Sequence, residues 1–146
     1  MNVHIRNAVV NDVEAIFDIR TSVKENYLSL SQLADLGITH ETITDFVAES
    51  PCTWIAEIDG APAGFSMADA DEGNVFALFV RQDMEGRGLG TSLMEKVEDY
   101  LFARHETIWL TTERDSRASR FYAARGWMAV AEQDNGQTRF EKIRPK

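Results

Sequence analysis

Three glycines at alternate positions, Gly86, Gly88 and Gly90, follow an apolar run and open a helical stripe. The segment reads Leu78-Phe-Val-Arg-Gln-Asp-Met-Glu-Gly-Arg-Gly-Leu-Gly-Thr91. Without β-carbons, these positions let an anion approach the backbone closely. The first N–H groups of the helix lack intrahelical partners, and the helix dipole favours negative charge there, so the turn suits a phosphate or pyrophosphate. Arg87 can add a charge-assisted contact. The bland alternative is a glycine-rich turn that merely ends a strand. A Walker loop would need Gly-Lys-Ser/Thr, and no lysine follows these glycines. A dinucleotide fingerprint needs a glycine at the sixth position, where Thr91 stands, and a shorter strand-to-glycine loop. Glu113 could mimic its ribose-binding acid, but the rest of that pattern is missing.

Other reactive residue types offer less. His4, His40 and His105 are far apart and lack paired ligand spacing, so no metal is expected. Cys52 is the sole cysteine and reads as a small apolar residue rather than a nucleophile; it excludes an intrachain disulfide. With Lys plus Arg at 15 and Asp plus Glu at 24, the net charge of −9 argues against a nucleic-acid partner. No apolar run reaches the ~18 residues of a membrane span, and no secretory signal is visible, so a cytoplasmic protein is expected.

The elements that would position the glycine turn can be read from periodicity. The 146 residues fit one domain, 1–146. A strand is expected over residues 3–9. A helix capped by Asn11 with Glu14 follows, reaching about Asn26 through Val13, Ile16, Phe17 and Val23. Residues 27–38 are ambiguous, and Thr39 can cap a second helix. Thr53–Ile58 and Ala63–Ala68 flank Asp59-Gly60, a hairpin turn. Asn74–Val80 is nearly all apolar, as in a strand covered on both faces. Leu89, Leu93, Val97 and Leu101 form a helical stripe. A strand over residues 107–112, a helix through Phe121 and Tyr122 closed by Gly126, and a last hairpin complete the chain. The order β-α-α-β-β-β-α-β-α-β-β defines an α/β fold with a mixed sheet and helices on both faces.

With the glycine turn in that setting, the sequence resembles the GNAT superfamily, the N-acetyltransferases that use acetyl-coenzyme A. The family pattern V-x-P-x-x-(R/Q)-x-x-G-x-(G/A) is met at Val80, Gly88 and Gly90; Gln82 replaces its proline, and Glu85 stands where Arg or Gln is usual. The pattern A-x-x-F-Y-x-x-x-G-(F/W) is met in full from Ala118 to Trp127. The resemblance covers nearly the whole chain and implies a mixed, mostly antiparallel central sheet. It implies that Leu78, Phe79 and Val80 offer backbone to the pantetheine arm. It implies that Glu85, Gly86, Arg87, Gly88, Leu89, Gly90 and Thr91 wrap the pyrophosphate, with Ser119 near the cofactor. Asp115 sits where many members have an asparagine facing the cofactor.

The implied reaction is acetyl transfer from acetyl-CoA to a primary amine, by direct attack with both substrates bound. Tyr122 is then the candidate general acid for the leaving thiolate; the alternative is a core aromatic beside Phe121. A backbone N–H near Val80 can stabilise the oxyanion if the strand splays from its neighbour. Glu113 is the candidate base, with Asp69, Asp71 and Glu72 behind it. Asn26, Tyr27 and Trp54 are candidates for the acceptor pocket, while Trp109 and Trp127 read as core. The acidic balance favours a small cationic amine, with an amino acid, an antibiotic, a peptide N-terminus and a protein lysine left open as acceptors. A homodimer through the last hairpin or its neighbouring strands is a reasonable expectation. The alternatives are a non-catalytic acyl-CoA-binding module of the same fold and a partner-binding protein using Tyr27, Leu28 and Leu30.

Overall fold

In the computed structural model, which describes residues 2–146, one seven-stranded sheet organises the chain. Its strands are β1 (Val3–Asn7), β2 (Thr53–Ile58), β3 (Ala61–Asp69), β4 (Asn74–Val80), β5 (Thr107–Glu113), β6 (Met128–Glu132) and β7 (Gln137–Ile143). Their spatial order is β1-β2-β3-β4-β5-β7-β6. Every neighbouring pair is antiparallel except β4 with β5. The helices are α1 (Val13–Arg20), α2 (Leu30–Asp35), α3 (His40–Glu49), α4 (Leu89–Phe102) and α5 (Arg117–Ala124).

The period-two alternation of the strands divides the core between the two faces of the sheet. Trp54, Ala56 and Ile58 of β2 point to one side, into a cluster with Leu89, Leu93, Val97 and Leu101 of α4 and Tyr122 of α5. Ile55 points to the other side, into a cluster with Val13, Ile16 and Ile19 of α1 and Ile43 and Val47 of α3. Helices therefore cover both faces, as the order of elements predicts. The hairpin joining β2 to β3 is the expected one: Asp59 and Gly60 take φ of 52° and 86°, the positive pair that its turn type requires.

The structure corrects the reading of the N-terminal third. β1 ends at Asn7 rather than at residue 9, and a 3₁₀ turn, Val10–Asp12, precedes α1. The helix stops at Arg20, six residues short of Asn26, because the Thr21 hydroxyl donates to the Phe17 carbonyl and the Ser22 hydroxyl to that of Ile19. Such side-chain bonds compete with continuation of the helix. The ambiguous stretch holds α2, an additional helix, whose N-cap Ser29 accepts from the Gln32 amide while the Gln32 side chain accepts from the Ser29 amide. In β4 the apolar run is not covered on both faces: Phe76 is 47% exposed, and the strand instead borders a cleft.

At the start of α1, Asp12 rather than Asn11 carries the local structure. Arg6 donates from both terminal nitrogens to the Asp12 carboxylate, at 2.7 and 2.9 Å, and the Val9 amide donates to it at 2.8 Å. The Arg6 hydrogen bonds hold this carboxyl below the usual aspartate range, against the opposing effect of burial. A depressed carboxylate pKa contributes stability that is present above the unfolded value and is lost as pH falls through the folded one. Asp12→Asn is expected to cost about 2 kcal/mol at neutral pH. It also removes part of the acid limb of the stability profile below pH ~4, which urea melts at a series of pH values would measure.

Candidate active site

Among the described residues the sheet's parallel pair, β4 with β5, is joined at one register point, Asn74 opposite Trp109. There the Trp109 amide donates to the Gly73 carbonyl and the Asn74 side chain donates to the Trp109 carbonyl. Beyond that point β4 and β5 diverge. The Arg81 amide donates to the Ala63 carbonyl, so in the antiparallel ladder residues 79 and 81 face β3. The amides of Leu78 and Val80, one residue out of step, must face the gap. On the opposite wall the Trp109 amide is satisfied by Gly73, and that of Glu113 by the Asn26 side-chain oxygen at 3.0 Å.

The gap opens into a cleft of about 830 Å³. One wall is Val75 to Val80, the other Leu110 to Thr112, and Phe121 and Tyr122 of α5 close one side. The mouth reaches Glu85, Gly86 and Gly88 to Thr91. Gly86 and Gly88 have φ of 79° and 80°, and nothing lies within 4 Å of where their β-carbons would be. Gly88 is the N-cap of α4, and no side chain caps that helix. The helix thus presents its first amides uncapped, beside open space. These features fit an elongated ligand with a phosphate end, which would lay an amide-bearing arm along β4 and its anion at α4.

Glu85 would place negative charge at that mouth, but it forms a salt bridge with Arg117, the first residue of α5. The unfavourable charge is thereby offset, though an ion pair with Arg117 64% exposed contributes little stability. The Arg117 amide in turn donates to both oxygens of Glu25, at 3.0 Å each. Sequence reasoning did not single out Glu25 or Arg117, because their pairing joins segments far apart in the chain.

Tyr122 is 6% exposed and sits among the rings of Phe121, Trp127 and Phe140, at centroid distances of 5.4, 6.0 and 6.1 Å. Burial raises the pKa of its phenol, so the hydroxyl stays protonated throughout the physiological range. The aromatic packing and the place in the cleft are compatible: one ring does both.

A second cleft, of about 630 Å³, lies on the α1–α3 side of the sheet. Glu113 and Tyr27 line it, and Asn26 lines both clefts. Asn26 is held against the end of β5: its amide donates to the Glu113 carboxylate at 3.2 Å, and its side-chain nitrogen to the Thr112 hydroxyl at 3.3 Å. Its φ of 57° is left-handed, a conformation asparagine tolerates. The join between the clefts also includes Arg20, Lys24 and Phe79.

Other sequence-based candidates lie elsewhere. Trp54 is on the opposite face of the sheet, edge-on to Tyr100 at 5.5 Å, and lines neither cleft. The Ser119 hydroxyl donates to the Ser116 carbonyl at 2.7 Å, within the cap of α5. Arg87 is exposed and outside both linings. Asp69, Asp71 and Glu72 belong to the turn at the closed end of the gap, where the Asp69 side chain accepts from the Asp71 and Glu72 amides. By strand rise that turn is about 20 Å from Val80. Trp109 is only partly buried, with its indole N–H on the Glu72 carbonyl and Arg139 4.2 Å from the ring. Trp127 is in the core and donates to buried Glu98 at 3.0 Å. Among the described residues no group of three or more His, Cys, Asp and Glu gathers to hold a metal ion, and no helix is long and apolar enough to cross a membrane.

The splayed sheet, its open amides and the uncapped, glycine-led helix are the features that define the site. A profile of the acetyltransferase (GNAT) family matches residues 13–127, and the chain belongs to that family. Among curated relatives, it is 32% identical over 81 residues to an uncharacterized N-acetyltransferase of Methanocaldococcus jannaschii, covering 52% of each chain. It is 34% identical over 82 residues to another of Archaeoglobus fulgidus, covering 48% of this chain and 55% of that one. The chain thus spans about half the length of the curated relatives it matches. The fold is similar to that of the PaiA N-acetyltransferase from Thermoplasma acidophilum, solved in complex with coenzyme A. The TM-score is 0.81 at 16% identity, covering 99% of this chain and 100% of that one.

Proposed function

We propose that the chain transfers the acetyl group of acetyl-CoA to a primary amine seated in the second cleft, by direct attack with both substrates bound. The observation that carries this reading is the gap between β4 and β5, whose open Leu78 and Val80 amides lead to the uncapped start of α4. Leu78 and Val80 would hold the pantetheine arm, and Gly86 to Thr91 the pyrophosphate. The donor, when bound, supplies a thioester carbonyl open to attack.

The residues then have separate tasks. The Val80 amide donates to the carbonyl oxygen as negative charge grows on it. Glu113 takes the proton that the amine must lose, through water. A lysine-like amine with pKa ~10.4 needs about 4–5 kcal/mol to be neutral at pH 7. A C–N bond forms as the C–S bond breaks; the departing sulfur receives a proton from Tyr122, and the phenol is restored by the second proton that the nitrogen sheds on becoming an amide. Because burial raises the phenol's pKa, Tyr122 gives up this proton only as the sulfur takes on charge.

Calorimetry with acetyl-CoA, followed by thiol release over a panel of amines, tests the reading. Saturable heat and amine-dependent thiol are expected. Absence of heat at millimolar acetyl-CoA would remove the donor site. Heat without thiol on any amine would leave the non-catalytic binding module as the better account.

A further inference from the structure

The net charge of the chain points to a cationic acceptor, but the charges at the junction of the two clefts point the other way. Arg20 and Lys24 line both clefts. Neither forms a salt bridge among the described residues. Arg20 ends α1 with its guanidinium 4.2 Å from the centre of the Phe79 ring, and its Nη1 is buried without a hydrogen-bond partner. A half-buried guanidinium with an unanswered donor is costly to keep. The nearby carboxylates do not answer it. Glu113 accepts from the Asn26 amide and Glu25 from the Arg117 amide. Away from this junction the second cleft is lined mainly by apolar side chains, Leu33, Ile38, Ile43, Phe65 and Met67 among them, with Glu113 and Asn135 as polar members.

We propose that Arg20, assisted by Lys24, binds a carboxylate of the acceptor, and that the acceptor is an α-amino acid with an apolar side chain. This rests on the transferase reading above. The attacking nitrogen must lie where the clefts meet, because the donor occupies the first and the acceptor the second. Arg20 lines both clefts, which puts the anionic group near the nitrogen rather than at the far end of the acceptor. An α-amino acid meets this requirement, and its side chain then extends into the apolar chamber. The distributed −9 charge does not oppose this, since exposed charges beyond the ~8 Å screening length act weakly. The guanidinium fork donates to the two oxygens of a carboxylate more specifically than an ammonium would.

The test compares leucine and phenylalanine with the amines that lack their carboxylates, isoamylamine and phenethylamine, by thiol release from acetyl-CoA. The amino acids should exceed the amines in kcat/KM by about tenfold or more. In Arg20→Met that ratio should collapse toward one, mainly through KM, and Arg20→Lys should restore part of it. A wild-type ratio at or below one, or an unchanged ratio in Arg20→Met, overturns the proposal while leaving the transferase reading intact. A binding arm is independent of turnover. N-acetylleucine titrated into the CoA-saturated protein should bind wild type and bind Arg20→Met at least about tenfold more weakly. No binding to wild type overturns the proposal. Binding without any turnover supports the carboxylate site and overturns the transferase reading alone. A loss in Arg20→Met confined to succinyl-CoA as donor would assign the arginine to the acyl chain and overturn the proposal.

Discussion

Tyr122→Phe should lower kcat by about a hundredfold while leaving the Kd for CoA nearly unchanged. The substitution deletes one oxygen. The ring, wedged between Phe121, Trp127 and Phe140, keeps its contacts, so fold and cleft survive. What disappears is the proton donor for the departing sulfur, a group used only as the C–S bond breaks. A purely packing role for Tyr122 predicts the opposite: kcat within about twofold of wild type, with any change confined to thermal stability. Steady-state kinetics and CoA calorimetry on the same preparation separate the two. Burial raises the wild-type phenol, so no loss of rate from its ionisation is expected between pH 7 and 9.

Gly88→Val should weaken CoA binding by at least about a hundredfold, with little effect on the fold. Gly88 is the N-cap of α4 at φ 80°, where a β-branched residue is strained by roughly 1–2 kcal/mol or more. The added side chain would also occupy the open space beside the first amides of the helix. Losing two charge-assisted hydrogen bonds to a phosphate, at about 1.5–3 kcal/mol each, accounts for the expected loss. Calorimetry measures it directly. An unchanged Kd would mean that the anion is held elsewhere, and with it the proposed donor site would fail.

The elements carrying one-dimensional patterns were legible in the sequence. The stripe Leu89, Leu93, Val97 and Leu101 produced α4, and Asp59-Gly60 produced its hairpin. The glycine turn was legible because positive φ and missing side chains are local requirements. What depended on partners distant in the chain was not. Nothing in residues 27–38 shows that Asn26 is tied to the end of β5, and Glu85 gave no sign of its pairing with Arg117. Trp54 was misplaced because aromatic composition does not tell which face of β2 looks toward α4. Arg20 was missed although a clue existed: it lies four residues after Ile16 and three after Phe17, on the apolar face of α1. A cation on such a face calls for an explanation, whereas the total charge of a chain says little about any one cavity.

The single register point between β4 and β5 has a mechanical meaning as well. Four strands lie on one side of it and three on the other, so the sheet is two ribbons stitched at one end. A molecule lying along the open amides of Leu78 and Val80 would supply rungs that the polypeptide lacks. Ligation would then brace the whole β-structure as a keystone braces an arch, and heat resistance would climb with donor concentration.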